Sequence, residues 1–285
     1  LVEFHGLPAI SGPSPSPDTI PVFDAVKSDG VLVISPAATS TELTDADIVD
    51  VAGDDSPGLL WRTAPPDSIQ GLAIAKYMKQ LPSPPQHVVV IHEAGAYGDA
   101  LSSEFQSTYA TAGETVELFS FANANERDTL VVDAASSTAN TIVFLSSQTT
   151  DAAEFLLLAA PNPDYALKNL FLSDSAANTD FLTQAAGAAA IFDRVTGTRP
   201  GVGGAYDLFN ASFNAAFKVD ADDYSFVAHA YDAAWVLFYG MVWALSQEDS
   251  LGGRNIARGL RRGVGGDSPF QVRPLGCAPV TDALA

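Results

Sequence analysis

The sequence predicts an α/β protein of two lobes, each built on a parallel sheet with helices on both faces. Short apolar runs alternate with stretches of helical spacing at intervals of about 30 residues, the length of a strand–helix–strand unit. The run at residues 88–91, Val-Val-Val-Ile, is continuously apolar, as expected for a strand covered on both faces. Segments rich in proline and glycine interrupt the series at residues 64–66 and 196–204. Two such crossings indicate a chain that passes back and forth between two lobes.

The individual elements follow from the spacing of apolar residues. Apolar runs typical of strands occupy residues 8–10, 31–34, 88–91, 115–121, 142–145, 170–172 and 188–192. Helical spacing covers residues 18–26, 68–81, 98–112, 127–136, 152–160, 205–218, 226–246 and 255–262. Asp67 or Ser68 is placed to cap the second of these helices, and the prolines at residues 82–85 end it. Helices dominate the last third of the chain.

The two crossings also predict the domain boundaries. Residues 1–66 and 203–285 are expected to form lobe 1, and residues 67–202 lobe 2. The hinges are expected near Pro65 and Gly201. A binding cleft would then lie between the lobes.

Charge and composition narrow the classes of partner. The chain has 34 acidic and 14 basic residues and a formal net charge of -20. So much negative charge repels phosphate backbones and anionic lipid surfaces, which argues against nucleic-acid and membrane-surface binding. The apolar stretch 226–245 carries His229 and Asp232, so a buried helix is expected there and not a membrane span. Cys277 is the single cysteine, which excludes an internal disulfide.

The sequence contains few features typical of catalytic or metal-binding sites. The four histidines are scattered without metal-ligand spacing, and no Gly-x-Ser-x-Gly elbow or phosphate-binding Walker loop occurs. His92 and Glu93 form the one adjacent acid–base pair at a predicted strand end, so an enzyme would have to use them. The sequence predicts a protein that is not an enzyme and has no cofactor or metal.

Polar and small residues cluster where the predicted strands end. They are Ser16, the loop residues Ser35, Ala37, Ala38, Thr39 and Ser40, and then Tyr97, Gln148, Thr149 and Asp174. Ligands of open α/β sheets bind outside the carboxyl ends of the strands, so we expect these residues to converge on one crevice. Hydroxyls on one wall and a carboxylate on the other suit a zwitterion. The alternative for Ser35 to Ser40 is that the hydroxyls cap the following helix.

Several motifs resemble those of the type I periplasmic binding proteins, and more narrowly the branched-chain amino acid receptors of ABC importers. They occur in the family's order over nearly the whole chain. The motifs are Gly12-Pro-Ser-Pro-Ser16, Val31-Leu-Val-Ile-Ser-Pro-Ala-Ala-Thr-Ser40, Arg62-Thr-Ala-Pro-Pro-Asp67-Ser-Ile-Gln-Gly71, Ala96-Tyr97-Gly98, Leu172-Ser173-Asp174 and Ala230-Tyr231-Asp232-Ala233. The resemblance implies the two-lobed type I fold.

The resemblance also implies roles for single residues. Positions matching Ser16, Ala37 and Thr39 hold the ligand's carboxylate, and the position matching Asp174 pairs with its ammonium, although the family commonly has Glu there. Tyr97 matches an aromatic residue that closes over the ligand. Asp67 matches an acidic residue on the hinge side of the cleft, with a helix cap as the alternative.

Gln148 and Thr149 stand where relatives often have tyrosines, which leaves the side-chain pocket and the ligand open. Leucine, isoleucine or valine is the family default, and other amino acids or small carboxylates are the alternatives.

The resemblance implies that the protein functions as an extracytoplasmic solute-binding receptor. The receptor is expected to be a monomer that delivers an amino acid or small carboxylate to ABC permease subunits. The alternative is a sensing domain of the same fold that reports ligand occupancy to a regulator. The location would be periplasmic or extracellular, with a lipid-anchoring cysteine expected in a preceding segment. Relatives carry further strand–helix units before the segment matching Gly6 to Gly12 and a hairpin after the end. We therefore expect both ends of lobe 1 to be incomplete in this sequence.

Overall fold

Parallel strands and helices alternate along the chain much as predicted. The computed structural model describes residues 6–47 and 56–263. Strands β1 to β8 are Ala9–Ser11, Leu32–Ser35, Leu60–Arg62, His87–Glu93, Thr115–Phe121, Thr141–Leu145, Asn169–Leu172 and Val195–Gly197. Helices α1 to α10 are Ser16–Val26, Glu42–Ala46, Asp67–Lys79, Gly98–Tyr109, Ala124–Ala135, Thr149–Ala159, Thr179–Gln184, Tyr206–Phe217, Val227–Glu248 and Gly253–Arg262. Each pairing of these strands is parallel, which confirms the predicted α/β class.

The chain forms two compact units. Unit 1 consists of the described residues of Leu1–Ala64, Val202–Phe209 and Phe226–Ala285, and unit 2 consists of Pro65–Gly201 and Asn210–Ser225. The predicted third segment, residues 203–285, is therefore not one piece, because its residues 210–225 belong to unit 2.

Polar contacts explain why residues 210–225 group with unit 2. The hydroxyl of Ser225 donates to the backbone oxygen of Asp174 at 3.0 Å. Arg199 and Asp222 form an ion pair with an N–O distance of 2.9 Å. These contacts join residues far apart in sequence, so the spacing of apolar residues did not indicate them.

Unit 1 contains a three-stranded sheet in the order β1-β2-β3. The central strand, Leu32–Ser35, is buried along its whole length, as its continuous apolar run predicts. Helices α9 and α10 contribute Trp243 and Ile256 to the same core. The two helices approach closely at glycines, since a Cβ on Gly259 would lie 2.7 Å from the backbone oxygen of Gly240.

Unit 2 contains a five-stranded sheet in the order β5-β4-β6-β7-β8. The chain leaves β4 to form β5 on one side and then returns to form β6 on the other. The carboxyl ends of β4 and β6 therefore flank the point where the strand order reverses, which is where open α/β sheets bind ligands. Glu93 ends β4 and Leu145 ends β6, so the residues that follow them lie at this position.

Two elements differ from the prediction. Residues 188–192 were expected to form a strand, but they belong to a 3-10 helix, Ala186–Arg194, and the strand follows as β8. Ala188 and Ile191 are the buried residues of that helix, and their spacing of three fits a 3-10 turn. A short apolar run does not by itself separate strand from buried helix. Strand β3 was not predicted, because its three residues are too few to show a period.

No helix among the described residues is long and apolar enough to cross a membrane. The long helix α9, Val227–Glu248, includes the stretch expected to be a buried helix, with His229 buried. Cys277 lies outside the described residues.

Candidate functional site

The predicted site residues fall into two sets, one in each unit. Ser16, Ser35, Ala37, Ala38 and Thr39 belong to unit 1, and Asp67, Tyr97, Gln148, Thr149 and Asp174 belong to unit 2. Both sets follow the carboxyl ends of parallel strands, with the exception of Asp67, which begins helix α3. Ligands of open α/β sheets bind outside the carboxyl ends of the strands, and we call this the strand-end rule. Each unit thus contains polar residues at the positions that the rule indicates.

In unit 1, Ser35 organises the loop that follows β2. Its hydroxyl donates to the backbone oxygen of Pro13 at 2.6 Å, and it accepts from the backbone N–H of Ala38 at 3.0 Å. A longer contact of 3.4 Å joins it to the N–H of Ala37. The one proton of the Ser35 hydroxyl is therefore used within the protein, and Ser35 supports the loop.

Ser16 holds the second half of this loop. The residue is 2% exposed, and its Oγ accepts from the backbone N–H groups of Thr39 and Ser40, both at 3.1 Å. Both lone pairs of the hydroxyl are used in this way, so its remaining capacity is the donation of its proton. Accepting two hydrogen bonds polarises the hydroxyl and makes it a stronger donor.

Thr39 offers the other donor. The residue is 3% exposed, and its Oγ1 makes no hydrogen bond within the part of the chain that the structure describes. Ser40, in contrast, accepts with its Oγ from the N–H of Glu42 at 3.2 Å, although the N-cap position of α2 is Thr41. The loop thus combines a local side-chain turn with hydroxyl donors.

Arg62 supports the loop from β3 and was not predicted as a site residue. Its guanidinium donates to the backbone oxygens of Thr39 and Ser40, at 3.1 and 2.6 Å, and to the hydroxyl of Thr44 at 2.6 Å. A guanidinium that binds two successive carbonyls fixes their direction. The N–H groups of the same two residues are held by Ser16, so both sides of the loop are fixed.

In unit 2, Asp174 and Tyr97 meet directly. The buried Tyr97 hydroxyl donates to Oδ1 of Asp174 at 2.5 Å, and the side-chain amide of Gln70 donates to the same oxygen at 2.8 Å. Gln70 also donates to the hydroxyl of Thr198 at 2.9 Å. Gln70 was not predicted as a site residue, because it lies within helix α3, away from any strand end.

The electrostatic environment of Tyr97 is negative. Burial raises the pKa of its hydroxyl well above the usual range, and the charges of Asp174 and Asp67 raise that pKa further. Asp67 is fully buried. It is the first residue of α3, and the N-cap position is Pro66, so Asp67 is not the cap that the alternative interpretation assigned to it.

Asp174 has no cationic partner among the described residues. It is 6% exposed, its Oδ1 accepts from two neutral donors, and no Lys, Arg or His of the described ranges forms an ion pair with it. A buried carboxylate is stabilised most by an opposite charge in contact with it. The buried carboxylate of Asp174 therefore favours a cationic group at this position.

Gln148 and Thr149 lie at the start of α6. Gln148 is exposed, and its side-chain amide donates to Ser147 at 3.1 Å. Thr149 donates to the backbone oxygen of Ser175 at 2.9 Å and accepts from the amide of Asn178 at 3.1 Å. Thr149 thus joins the loops that follow β6 and β7, whereas Gln148 is accessible to a ligand.

The adjacent pair His92 and Glu93 does not act as one acid–base unit. Nδ1 of His92 lies 3.0 Å from the backbone oxygen of Glu93 and 3.3 Å from Oδ1 of Asp99. Oε2 of Glu93 instead lies 3.0 Å from the hydroxyl oxygens of both Ser146 and Ser147. Successive strand residues point to opposite faces, which explains the separation.

The described residues hold no group of three or more His, Cys, Asp or Glu side chains that could bind a metal ion. Hydroxyl donors in unit 1 and carboxylates in unit 2 are the functional groups on offer. Hydroxyl donors suit an anionic group, and carboxylates suit a cationic group.

Comparison with known proteins gives a family match. Residues 4–263 match the family described as the receptor family ligand binding region. A Leu/Ile/Val/Thr-binding protein of Salmonella typhimurium is 32% identical over 123 residues, which are 43% of this chain and 31% of the relative. A Leu/Ile/Val-binding protein of Escherichia coli is 31% identical over the same shares of the two chains. The matched segment thus spans less than a third of these relatives.

Solved structures share the fold over most of the chain. A leucine-binding protein of Thermotoga maritima superposes with a TM-score of 0.71 at 17% identity, covering 92% of this chain and 70% of that one. The branched-chain amino acid transporter substrate-binding protein of Streptococcus pneumoniae, solved with isoleucine, gives a TM-score of 0.69 at 20% identity, covering 91% and 69%.

Proposed function

Because the chain belongs to the receptor family ligand binding region, we propose that it binds an aliphatic amino acid as the solute receptor of an ABC importer. The ligand class is drawn from the relatives named as Leu/Ile/Val- and Leu/Ile/Val/Thr-binding proteins.

The state of Asp174 is the observation that carries the proposal. This buried carboxylate accepts from the hydroxyl of Tyr97 and the amide of Gln70, which hold it in place without neutralising it. An ammonium group would supply the missing positive charge, and a hydrogen bond between charged groups contributes about 1.5–3 kcal/mol. Unit 2 is therefore proposed to bind the cationic end of the ligand.

Unit 1 is proposed to bind the carboxylate. Ser16 and Thr39 supply hydroxyl protons, and the N–H of Ala37, held only by a 3.4 Å contact, supplies a further donor. Ser35 and Arg62 hold the loop in shape and are assigned no ligand contact. Donors fixed before binding lose little conformational freedom, which favours affinity.

The role in transport follows from the same relatives. The amino acid would be captured outside the cytoplasmic membrane and delivered to the permease subunits of the importer. No bond of the ligand is made or broken, in keeping with relatives that are named as binding proteins. The proposed location is the periplasm or the outer surface of the cell.

A thermal-shift screen of the purified protein against the common amino acids tests the proposal. A ligand present at 100 times its Kd stabilises the folded state by about 2.7 kcal/mol, which is readily measured. Leucine, isoleucine and valine are expected to raise the melting temperature, with aspartate and lysine as controls that do not. If no amino acid raises it, the proposed function is wrong.

A further inference from the structure

We propose that Glu93 acts as a neutral carboxylic acid that donates a hydrogen bond to Ser146, and that its ionisation loosens the loop at residues 146–148 and lowers the affinity for the amino acid. The second half of this proposal rests on the function proposed above. Glu93 ends β4 and Ser146 follows β6, at the point where the strand order of unit 2 reverses.

The hydroxyl of Ser146 lies between two carboxyl groups but has only one proton to donate. Oγ of Ser146 lies 3.0 Å from Oε2 of Glu93 and 2.8 Å from Oδ2 of Asp151, and it accepts from the N–H of Gln148 at 3.1 Å. A hydroxyl has one proton, so it donates to one of the two carboxyl groups only. The other carboxyl group must itself supply a proton for its contact to be a hydrogen bond.

Oδ1 of Asp151 forms an ion pair of 2.7 Å with Arg127, a contact that stabilises a carboxylate. The proton is therefore assigned to Glu93. Hydrogen bonds then run in one direction, from Glu93 to Ser146 and from Ser146 to Asp151. Ser146 uses both lone pairs and its proton in this arrangement, and no contact within it is repulsive.

The second oxygen of Glu93 supports the assignment. Glu93 is 8% exposed, and Oε1 is buried without a hydrogen-bond partner in the described part of the chain. On Oε2, the N–H and the hydroxyl of Ser147 donate at 2.9 and 3.0 Å, which matches the two lone pairs of an acid hydroxyl. A neutral carbonyl oxygen loses far less by burial than half of a carboxylate charge does.

The charged groups around Glu93 act in the same direction. Burial raises the pKa of Glu93, the negative charge of Asp151 raises it further, and hydrogen bonds from the Ser146–Ser147 loop lower it in part. On the neighbouring elements, Arg127 is engaged by Asp128 and Asp151, and His92 faces Asp99. No cation within the described ranges forms an ion pair with Glu93.

The loop connects Glu93 to the proposed ammonium site. The hydroxyl of Ser173 donates to the backbone oxygen of Ser146 at 3.0 Å, and Asp174 is the next residue. If Glu93 ionises, its contact with Ser146 competes with that of Asp151 for one proton. The loop then loses a hydrogen bond, and the position of Ser173 and Asp174 is held less firmly. Glu93 is thus a positioning residue and not a ligand contact.

The test compares the wild-type protein with Glu93→Gln, whose side chain stays uncharged at every pH. In the wild type the folded state holds a proton that the unfolded state releases above about pH 4.3, the ordinary pKa of Glu. The contribution of this proton to stability is therefore fully present below that pH and is lost as pH rises toward the raised pKa. The unfolding constant then changes by up to about tenfold per pH unit. In urea unfolding from pH 4 to pH 9, the unfolding free energy of the wild type should fall relative to that of Glu93→Gln. Parallel profiles for the two proteins would overturn the proposal.

Calorimetric titration with L-leucine over the same pH range tests the link to binding. We expect the wild-type affinity to fall several-fold toward high pH and the affinity of Glu93→Gln to stay constant. Equal pH dependence in both proteins refutes the link. If the wild type binds no leucine at any pH, the proposed function and the link both fail, while the unfolding profiles still decide the state of Glu93.

If the variant does not fold, infrared spectra of the wild type decide instead: a carboxylic-acid band at neutral pH that disappears at high pH supports the proposal, and its absence refutes it.

Discussion

Tyr97 donates its hydroxyl proton to Asp174 over 2.5 Å, although the two residues are 77 positions apart in the chain. The bond joins the start of helix α4 to the end of strand β7. It orients a buried carboxylate that no cation of the described residues neutralises. This pair is the basis of the proposed ammonium site.

Replacing Tyr97 by Phe should cost more stability than the same change at Tyr109. Both side chains are buried, but Tyr109 donates to a neutral oxygen, the backbone carbonyl of Pro85, at 2.7 Å. A hydrogen bond to a charged group contributes about 1.5–3 kcal/mol and a neutral one about 1 kcal/mol. Urea unfolding at pH 7 measures both losses. Equal losses would contradict a charged Asp174.

Asp174→Asn should abolish most of the binding and leave the fold intact. The asparagine oxygen still accepts from Tyr97 and Gln70, but the charge that binds the ammonium is gone. We expect the affinity for leucine to fall at least about 30-fold, which corresponds to about 2 kcal/mol. The control is Asp180→Asn, in the exposed first turn of α7, which should bind as the wild type does. Unchanged affinity in Asp174→Asn would place the ammonium elsewhere.

Thr39→Val and Ser35→Ala should separate binding from stability. Thr39→Val removes a hydroxyl with no hydrogen bond among the described residues, so we expect stability within about 0.5 kcal/mol of the wild type and about tenfold to hundredfold weaker leucine binding. Ser35→Ala removes the bond to Pro13 and leaves the N–H of Ala38 without its acceptor, at a cost of about 1–3 kcal/mol. Chemical unfolding and calorimetry distinguish the two. A reversed pattern would exchange the roles assigned to these residues.

The strand-end rule predicted much of the fold and the neighbourhoods of the site. It worked because parallel strands present their carboxyl ends at one edge of a sheet, so Tyr97 and Asp174 could be placed there from sequence. It did not indicate that Ser35 donates its proton to Pro13, since that contact joins residues 22 positions apart. Gln70 was missed because nothing in a helical repeat distinguishes an amide that faces Asp174.

The polar support around β4 and β6 was harder to predict. Glu93 was recognised only as the neighbour of His92, whereas its contacts are with Ser146 and Ser147, more than 50 residues later in the chain. The alanine-rich residues 186–194 gave a strand-like apolar run, and packing at a spacing of three residues made them a 3-10 helix. Both outcomes depend on tertiary contacts that local patterns do not contain.

Unit 1 should lose stability in mild acid through His229. Burial lowers the pKa of this residue, and its Nδ1 is buried without a hydrogen-bond partner in the described ranges. The folded state therefore binds fewer protons than the unfolded state below about pH 6.5, and stability falls as pH drops through that value. His229→Leu should flatten the difference between pH 7.5 and pH 5 in urea unfolding. If the variant keeps the full acid sensitivity, His229 is not its source.

The most direct test of the central claim is a calorimetric titration that compares L-leucine with two analogues, each lacking one charged end. 4-Methylpentanoate keeps the side chain and the carboxylate, and 3-methylbutylamine keeps the side chain and the ammonium. We predict saturable binding of one leucine per chain and affinities for both analogues at least about 30-fold weaker, since each analogue leaves one set of charged or polar groups unmatched. Failure of leucine to bind, or an analogue that binds as tightly as leucine, would contradict recognition of a zwitterion by the hydroxyls of unit 1 and the carboxylate of Asp174.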